Sequence, residues 1–364
     1  MSGLTLTGAG GFLGWHTRVA ARANDVDTVS LKVGSSFSAP RAAETVSGTE
    51  RLVHVAGVNR GSDAEVHDGN ILFATQVADA IRRADEPPQT IVFANSMQAS
   101  NSSTYGMAKA AAAEILSRVA EDVDIEFVDV LLPNLFGEHG RPFYNSVTAT
   151  FCHLLARGEY PAVDHDRELT LLHAQNAADL LLGSVSLESQ ASLEHVETVS
   201  GLLGRLTEQA NLYRRGEVPT VASPFERDLF NTYRAFAFEG HMPFGLARHA
   251  DERGSFFELI RSHGGTAQSS ISTTAPGVTR GDHFHRRKVE RFTVVSGSAS
   301  ISLRRLFTDE VVTFQVSGEE PSAVDMPTMW AHNIRNVGAE LLYTSFWTND
   351  LFDPVDPDTI SEVV

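Results

Sequence analysis

Cysteine is almost missing from this chain: Cys152 is the only thiol among 364 residues, so no disulfide can close within it and no zinc site can be built from thiolates. A reducing compartment fits that scarcity. Long apolar runs are missing too, since no stretch approaches the roughly 18 residues that a membrane helix needs. The opening residues lack the basic start and apolar stretch of a secretion signal. A cytoplasmic protein is expected, with no membrane partner. Basic residues are outnumbered, 29 Lys and Arg against 46 Asp and Glu, for a formal charge of −17. Without a concentrated basic patch, such a surface repels nucleic acid, and none is expected as a partner. The rest is ordinary: 42% hydrophobic and 21% charged residues describe a folded chain. At about 150 residues per domain, the length predicts two. Histidine is plentiful, 14 in all, and its placement carries information.

Strands and helices alternate through the first half. Residues 4–7, 28–33, 51–56 and 90–94 read as strands, and 12–23, 71–83 and 108–119 carry helical spacing. That alternation predicts a parallel sheet covered on both faces. It weakens after about residue 200. Beyond Phe236 the runs 255–260, 269–274, 290–295, 298–304, 311–316 and 341–347 are strand-length and lack helical spacing between them. A sandwich or barrel is expected there. The boundary falls in the stretch 239–245, which divides the chain into 1–236 and 237–364.

Gly8, Gly11 and Gly14 follow the first strand and open the first helix, with Phe12 and Leu13 at its start. The spacing lets the backbone turn tightly and approach a pyrophosphate at the helix N-terminus. A plain turn is the competing reading. Tyr105 and Lys109 lie four residues apart on one helix face, where a neighbouring ammonium would lower the phenol pKa and ready it for proton exchange with a carbonyl. Ser96 ends the preceding strand at the edge where ligands bind in this architecture. Taken alone, the Tyr/Lys pair would read as a surface feature. The second strand ends without an acidic residue, and Lys32 stands there instead, which favours the 2′-phosphate of NADPH over NADH.

In the second half, His283, His285 and Glu290, followed by His332, stand in one spacing pattern. Residues i and i+2 of a strand share a face, so His283 and His285 can converge, with Glu290 and His332 completing three nitrogens and one oxygen. Such a set suits Zn, Mn, Fe or Ni. A lone histidine on a strand is usually packed core, but four ligands in register are not explained that way.

Residues 1–236 resemble an extended short-chain dehydrogenase/reductase. The resemblance rests on the glycine fingerprint, His54-Val55-Ala56-Gly57, Asn70, Ser96, Tyr105, Lys109 and Leu132-Pro133-Asn134-Leu135-Phe136-Gly137. It implies a Rossmann-like, doubly wound domain. Ala56 and Gly57 would lie at the cofactor, Tyr105 would act as acid/base, and Lys109 would tune it and hold the nicotinamide ribose. Ser96 would bind the substrate oxygen, with Asn134 near a sugar nucleotide. Residues 237–364 resemble a cupin, an all-β jelly roll; the second cupin motif departs from its pattern, with Met329 where glycine is usual. Asp251-Glu252-Arg253-Gly254-Ser255-Phe256-Phe257-Glu258 and Arg280-Gly281-Asp282-His283-Phe284-His285 are also similar to metal-free deoxysugar 3,5-epimerases. There the position of His283 is the base and that of Arg280 holds the nucleotide sugar. His283 thus has two assignments, ligand or base.

The domain order resembles the bifunctional capsule and O-antigen family that forms UDP-2-acetamido-2,6-dideoxy-L-talose. The likeness extends to Arg141-Pro142-Phe143-Tyr144-Asn145-Ser146-Val147 and to a late stretch, Phe352-Asp353-Pro354 through Pro357-Asp358-Thr359. It implies C3 epimerisation in the cupin and NADPH-dependent C4 reduction in the first domain. The substrate would be a UDP-linked 4-keto-6-deoxy-N-acetylhexosamine, with Arg141 and Arg280 as binding residues. A divalent metal, zinc in first place, and a homo-oligomer, a homodimer in first place, are expected with it. Three alternatives stay open: a reductase with a structural or regulatory cupin, a non-catalytic sugar-nucleotide sensor, and a cupin dioxygenase fused to a reductase. Tyr343 is the candidate for the second acid/base. His139, His153, His165, His173 and His195 have no motif around them and read as solvated or packed.

Overall fold

A computed structural model describes residues 3–252 and 254–364. Arg253, in the epimerase-like segment, therefore lies outside the described residues. The chain forms two compact units that interleave along the sequence. Unit one takes Met1–Phe136, Gly140–Val147 and Arg167–Thr198; unit two takes Gly137–His139, Thr148–Asp166 and Val199–Val364.

Unit one is built on five parallel strands, β1 (Leu4–Thr7), β2 (Thr28–Leu31), β3 (Arg51–His54), β4 (Thr90–Ser96) and β5 (Glu126–Leu132), in the order β2-β1-β3-β4-β5. Neighbouring residues of the central strands point to opposite faces, and both sets are buried. Leu52, Ile91 and Phe93 pack with α2 (Ala39–Val46), α3 (Asp63–Arg83) and α4 (Thr104–Val123). Val53, Val92 and Ala94 pack with α1 (Phe12–Ala23) and α6 (Ala174–Leu182). That double burial explains the near-continuous apolar runs. The helix α3 starts eight residues before its periodicity becomes clear, at a capping box in which Ser62 and Glu65 exchange hydrogen bonds. A small sheet of β6 (Asn134–Phe136), β7 (Glu168–His173) and β8 (His195–Thr198), with the short helix α7 (Gln190–Leu193), completes the unit.

Unit two contains α5 (Val147–Ala156), α8 (Val199–Tyr213), α9 (Pro224–His241) and two antiparallel five-stranded sheets. The expected join at residue 236 falls within α9. After β9 (Phe244–Gly245) and a separate hairpin of β10 (Arg248–Asp251) and β11 (Gly254–Phe257) come β12 (Gln268–Thr274), β13 (Thr279–Phe284), β14 (Glu290–Ser296), β15 (Ser298–Arg305), β16 (Val311–Ser317), β17 (Ser322–Met326), β18 (Trp330–Asn336), β19 (Leu342–Thr348) and β20 (Ile360–Ser361). The sheets run β12-β19-β14-β17-β9 and β16-β15-β18-β13-β20. Between them Phe292, Val294, Ile301, Leu303, Val324 and Ile334 form an apolar core. Cys152 is fully buried in α5, and burial pushes its thiol far above the ordinary range, so it is inert.

One buried ion pair ties this core together. Arg291 on β14 grips Asp325 on β17 through Nε (2.5 Å) and Nη2 (3.0 Å), while Nη1 donates to the Gly216 carbonyl (2.6 Å). Both side chains are 2% exposed, so neither charge has water to fall back on. Asp325→Ala is therefore expected to cost about 3–5 kcal/mol in urea unfolding, because it strands a buried guanidinium. The double variant Arg291→Met with Asp325→Leu should cost clearly less than that single substitution.

Candidate functional site

In unit one the strand order reverses between β1 and β3, and the loops after both meet there. Such a switch point is where open α/β sheets bind ligands. Gly8 adopts φ +69°, and a Cβ there would lie 2.8 Å from the Ala56 amide nitrogen. At Gly14 a Cβ would lie 2.0 Å from the Gly8 carbonyl oxygen, so any side chain would drive helix and turn apart. The first intrahelical bond runs from Trp15 N–H to the Gly11 carbonyl (2.8 Å). The Phe12, Leu13 and Gly14 amides at the helix mouth thus have no intrahelical acceptor, which is the arrangement an anion needs.

Beneath this turn lies a contact that the motif alone does not reveal. The Thr7 hydroxyl accepts from the Val55 and Ala56 amides (3.0 and 3.1 Å) and sits 2.7 Å from His54 Nδ1. With its lone pairs engaged, Thr7 donates its proton, so His54 carries its own on Nε2. Burial, with Lys109 adding to it, pushes His54 down to about 3 and keeps it neutral. His54 stacks on Phe93 (5.4 Å, 16°), and Lys109 Nζ lies 3.9 Å from the centre of the same Phe93 ring.

Lys109 is 3% exposed and donates to the Ala94 carbonyl at 2.6 Å. Burial pushes it down to about 7, against the pull of Asp129. Tyr105, half-buried one helical turn earlier, is pushed up by burial. This runs against the expectation that Lys109 lowers the phenol: burial is the cause of the shift, and it acts upward. Ser96 stands at the end of β4, where its hydroxyl accepts from the Gln98 amide at 3.2 Å.

Lys32 follows β2 and is exposed. Gly57 lies under the Asn70 side chain, which donates to the Val58 carbonyl (2.7 Å) and accepts from its amide (3.3 Å), fixing the loop after β3. Asn134 Nδ2 donates to the Thr170 carbonyl (3.1 Å). Arg141 lies over the Tyr144 ring at 4.7 Å, and Arg60, which sequence reasoning missed, lies over the same ring at 5.5 Å. Arg60 also donates to the Phe143 carbonyl (2.5 Å), joining the loop after β3 to the one that carries Arg141.

In unit two the ligand atoms of His283, His285, Glu290 and His332 all lie within 4.8 Å of one another. The Nδ1 of His285 donates to the Asp358 carbonyl (2.5 Å) and that of His332 to the Trp330 carbonyl (3.0 Å). Nε2 of each ring is therefore turned inward, to 3.0 and 3.2 Å from Glu290 Oε2. Lone pairs facing at that distance repel unless a cation sits among them, either a proton or a metal. Glu290 is held well below the usual carboxylate range, its burial overridden by His285 and His332. His285 is raised, since Glu290 outweighs burial, while His283 falls to about 4 through burial and its two histidine neighbours. The donor set fits a borderline divalent ion such as zinc.

The face that Arg280 presents depends on a bulge. Residues three apart on a flat strand point to opposite sides, yet Arg280 pairs with Ile334 and His283 with His332, so both share the inner face. The additional residue is Asp282, φ +56°, beside Gly281 at φ +106°. A Cβ on Gly281 would lie 2.8 Å from the His332 carbonyl. Tyr343 does not join them: Leu342 and Phe346 of β19 pack with the core, so Tyr343 lies on the outer face, 40% exposed. The candidacy of Tyr343 as second acid/base is thereby corrected. Met329, standing where the cupin motif has glycine, takes the left-handed conformation glycine would take, φ +62°, and its amide donates to the His285 carbonyl at 2.7 Å.

Known proteins resemble this chain in both halves. Residues 4–186 match the model of the NAD dependent epimerase/dehydratase family, and residues 249–360 that of the polysaccharide biosynthesis C-terminal domain. A UDP-2-acetamido-2,6-beta-L-arabino-hexul-4-ose reductase from Pseudomonas aeruginosa is 30% identical over 363 residues, covering 97% of this chain and 96% of that protein. The crystal structure of the capsular polysaccharide assembling protein CapF from Staphylococcus aureus aligns over 100% of both chains with 31% identity and a TM-score of 0.61. A UDP-N-acetylglucosamine 4-epimerase from Bacillus cereus, 16% identical, shares the fold over 58% of this chain and 82% of its own, with a TM-score of 0.50. Among the described residues, no helix is long and apolar enough to cross a membrane.

The burial of Lys109 has a pH signature. Its folded pKa of about 7 lies below the roughly 10.4 of a free lysine, so the unfolded chain binds an additional proton between those values. Stability relative to Lys109→Met is therefore expected to rise from about pH 7 toward pH 10.4 and to stay level below 7 in the cofactor-free protein. Denaturant unfolding across that range checks the slope.

Proposed function

Since the chain belongs to the NAD dependent epimerase/dehydratase family and continues into a polysaccharide biosynthesis C-terminal domain, we propose that it is a bifunctional nucleotide-sugar enzyme of capsule or O-antigen synthesis. In this reading the β-rich domain, residues 237–364, epimerises C3 of a UDP-linked 4-keto-6-deoxy-N-acetylhexosamine. The α/β domain, residues 1–236, then reduces the C4 ketone with NADPH, giving UDP-2-acetamido-2,6-dideoxy-L-talose. The observation that carries the reading is the likeness to the P. aeruginosa reductase, which extends over 97% of the chain.

The chemistry follows from the ketone. A proton on C3 is acidic because the carbanion left behind delocalises onto the C4 oxygen. Arg280, on the same inner face as His283, holds the anionic nucleotide. We assign His283 to the cation set with His285, Glu290 and His332; the proton that leaves C3 passes to solvent water, which returns one on the other face. A divalent cation bound there, zinc in first place, would supply the positive charge that an enolate requires. Reduction removes the ketone and with it the acidity, so it locks the new configuration. NADPH, held by Gly8, Gly11, the Phe12, Leu13 and Gly14 amides, Ala56 and Gly57, supplies the hydride, with Lys32 facing its 2′-phosphate. Ser96 orients the carbonyl, and Tyr105 gives the C4 oxygen its proton. A phenol pushed up by burial suits that direction, because it is protonated when the alkoxide forms. Lys109 holds the nicotinamide ribose, and Asn134 and Arg141, with Arg60 beside it, bind the sugar nucleotide.

Tyr105→Phe should slow NADPH oxidation by about 10²–10⁴-fold while exchange of the C3 proton with deuterated solvent continues, read by NMR. Loss of both together would refute the division of labour. His283→Ala should lose bound metal and exchange together; a variant that keeps its metal but not exchange reassigns His283 as the base. Lys32→Glu should lower the ratio of kcat/KM for NADPH over NADH by about tenfold or more, the loss of roughly one charge-assisted contact.

A further inference from the structure

The stretch of sequence from Asp356 to Val364 has no part in the reaction just described, yet it braces the ligand-bearing segment of the barrel along its length. Asp358 is the centre of that brace. Its carboxylate accepts three successive backbone amides, Arg286 (3.0 Å), Arg287 (3.0 Å) and Lys288 (2.8 Å), directly after His285. Its own carbonyl accepts the Nδ1 proton of His285 at 2.5 Å. The residue is 6% exposed and stands at φ +45°, a left-handed conformation that aspartate tolerates better than most side chains. Immediately beyond it β20 pairs with β13, Ser361 opposite His283 and Ile360 opposite Phe284, and the Glu362 amide donates to the Asp282 carbonyl at the bulge (3.0 Å).

We propose that Asp358 is a positioning residue that holds His285 in the Nδ1–H tautomer with Nε2 turned toward Glu290, His283 and His332. The physical reason is that a histidine ring has two nitrogens and a free torsion, and only a partner on one nitrogen decides where the other points. Here that partner is a backbone carbonyl, which by itself could drift. The three amides anchored on the Asp358 carboxylate prevent the drift, because they tie the carbonyl to the chain that carries His285. A nest of successive amides favours an anion, so the carboxylate and not merely its shape is required. The inference rests on the proposed metal site only for its metal-binding arm; the tautomer is a property of the chain alone.

The test uses the full chain, stripped of metal, as wild type, Asp358→Asn, Asp358→Ala and Asp356→Asn. The last removes the exposed ion pair with Arg287 (2.7 Å) and leaves the nest intact. Zinc and cobalt affinities are measured by competition with a chromophoric chelator. The His285 tautomer is read by long-range 1H–15N correlation at alkaline pH, and thermal midpoints are recorded alongside. Expected are a roughly 10- to 100-fold loss of metal affinity in Asp358→Ala, an altered cobalt spectrum, and a mixture of His285 tautomers. Asp358→Asn should show a smaller loss in the same direction, and Asp356→Asn none. A lowered thermal midpoint with unchanged affinity and a single Nδ1–H tautomer would overturn the proposal and leave Asp358 as a fold-stabilising residue. If Asp358→Ala does not fold, Asp358→Asn decides by the same readouts. Should the wild type bind neither metal, the metal reading falls, and the tautomer comparison alone supports or overturns the positioning role.

Discussion

A carboxylate held between two imidazole nitrogens inside an apolar barrel is the constraint around which unit two is arranged. Nothing in the folding of a jelly roll asks for two imidazole nitrogens within 3.2 Å of a carboxylate oxygen, an arrangement that needs a cation, proton or metal, among them. Each ring is oriented by a carbonyl on its far nitrogen. The Asp358 carbonyl is in turn held by the nest on its carboxylate, and the Trp330 carbonyl follows directly on the turn through Met329. The left-handed Met329 is the local cost of this arrangement, about 1–2 kcal/mol of backbone strain at a position where glycine would be free. Strain of that size persists when the surroundings over-determine the conformation, as the bond from the Met329 amide to the His285 carbonyl does here.

Unit one applies the opposite device. A cation, not a set of lone pairs, is placed where it is poorly solvated, on a carbonyl and the face of Phe93. The same ring stacks on His54, whose tautomer is set by Thr7, whose oxygen also receives the two amides that bring the Ala56 loop against Gly8. The glycine turn at Gly8 and the Lys109 ammonium are thus connected through three side chains, Thr7, His54 and Phe93. Desolvation sets the direction at all three groups, lowering His54 and Lys109 and raising Tyr105.

Much of the fold was legible. The first strand and first helix lie where glycine spacing and apolar period put them, because a parallel strand buried on both faces and an amphipathic helix each leave a local signature. The helices of unit two were less visible. The capping box of α9, Ser223-Pro224-Phe225-Glu226, was there to be read. Its helical face, however, buries polar residues such as Arg234 and Asn231 among carbonyls, and that blurs the apolar period. The strand carrying His332 was likewise seen only through its histidine.

By itself the sequence determined which residue types could do chemistry and where glycine was unavoidable, since both depend on neighbours a few positions away. Gly8, Gly14, the Tyr105/Lys109 spacing and the His283/His285 pair belong to that class. Tertiary structure decided everything that depends on a partner remote in sequence. It put Arg280 on the inner face through one inserted residue, turned Tyr343 outward, raised the phenol where proximity alone would lower it, and brought Asp358, 73 positions after His285, against its ring. Parity along a strand and charge proximity are local rules. A bulge and desolvation are through-space effects that reverse them.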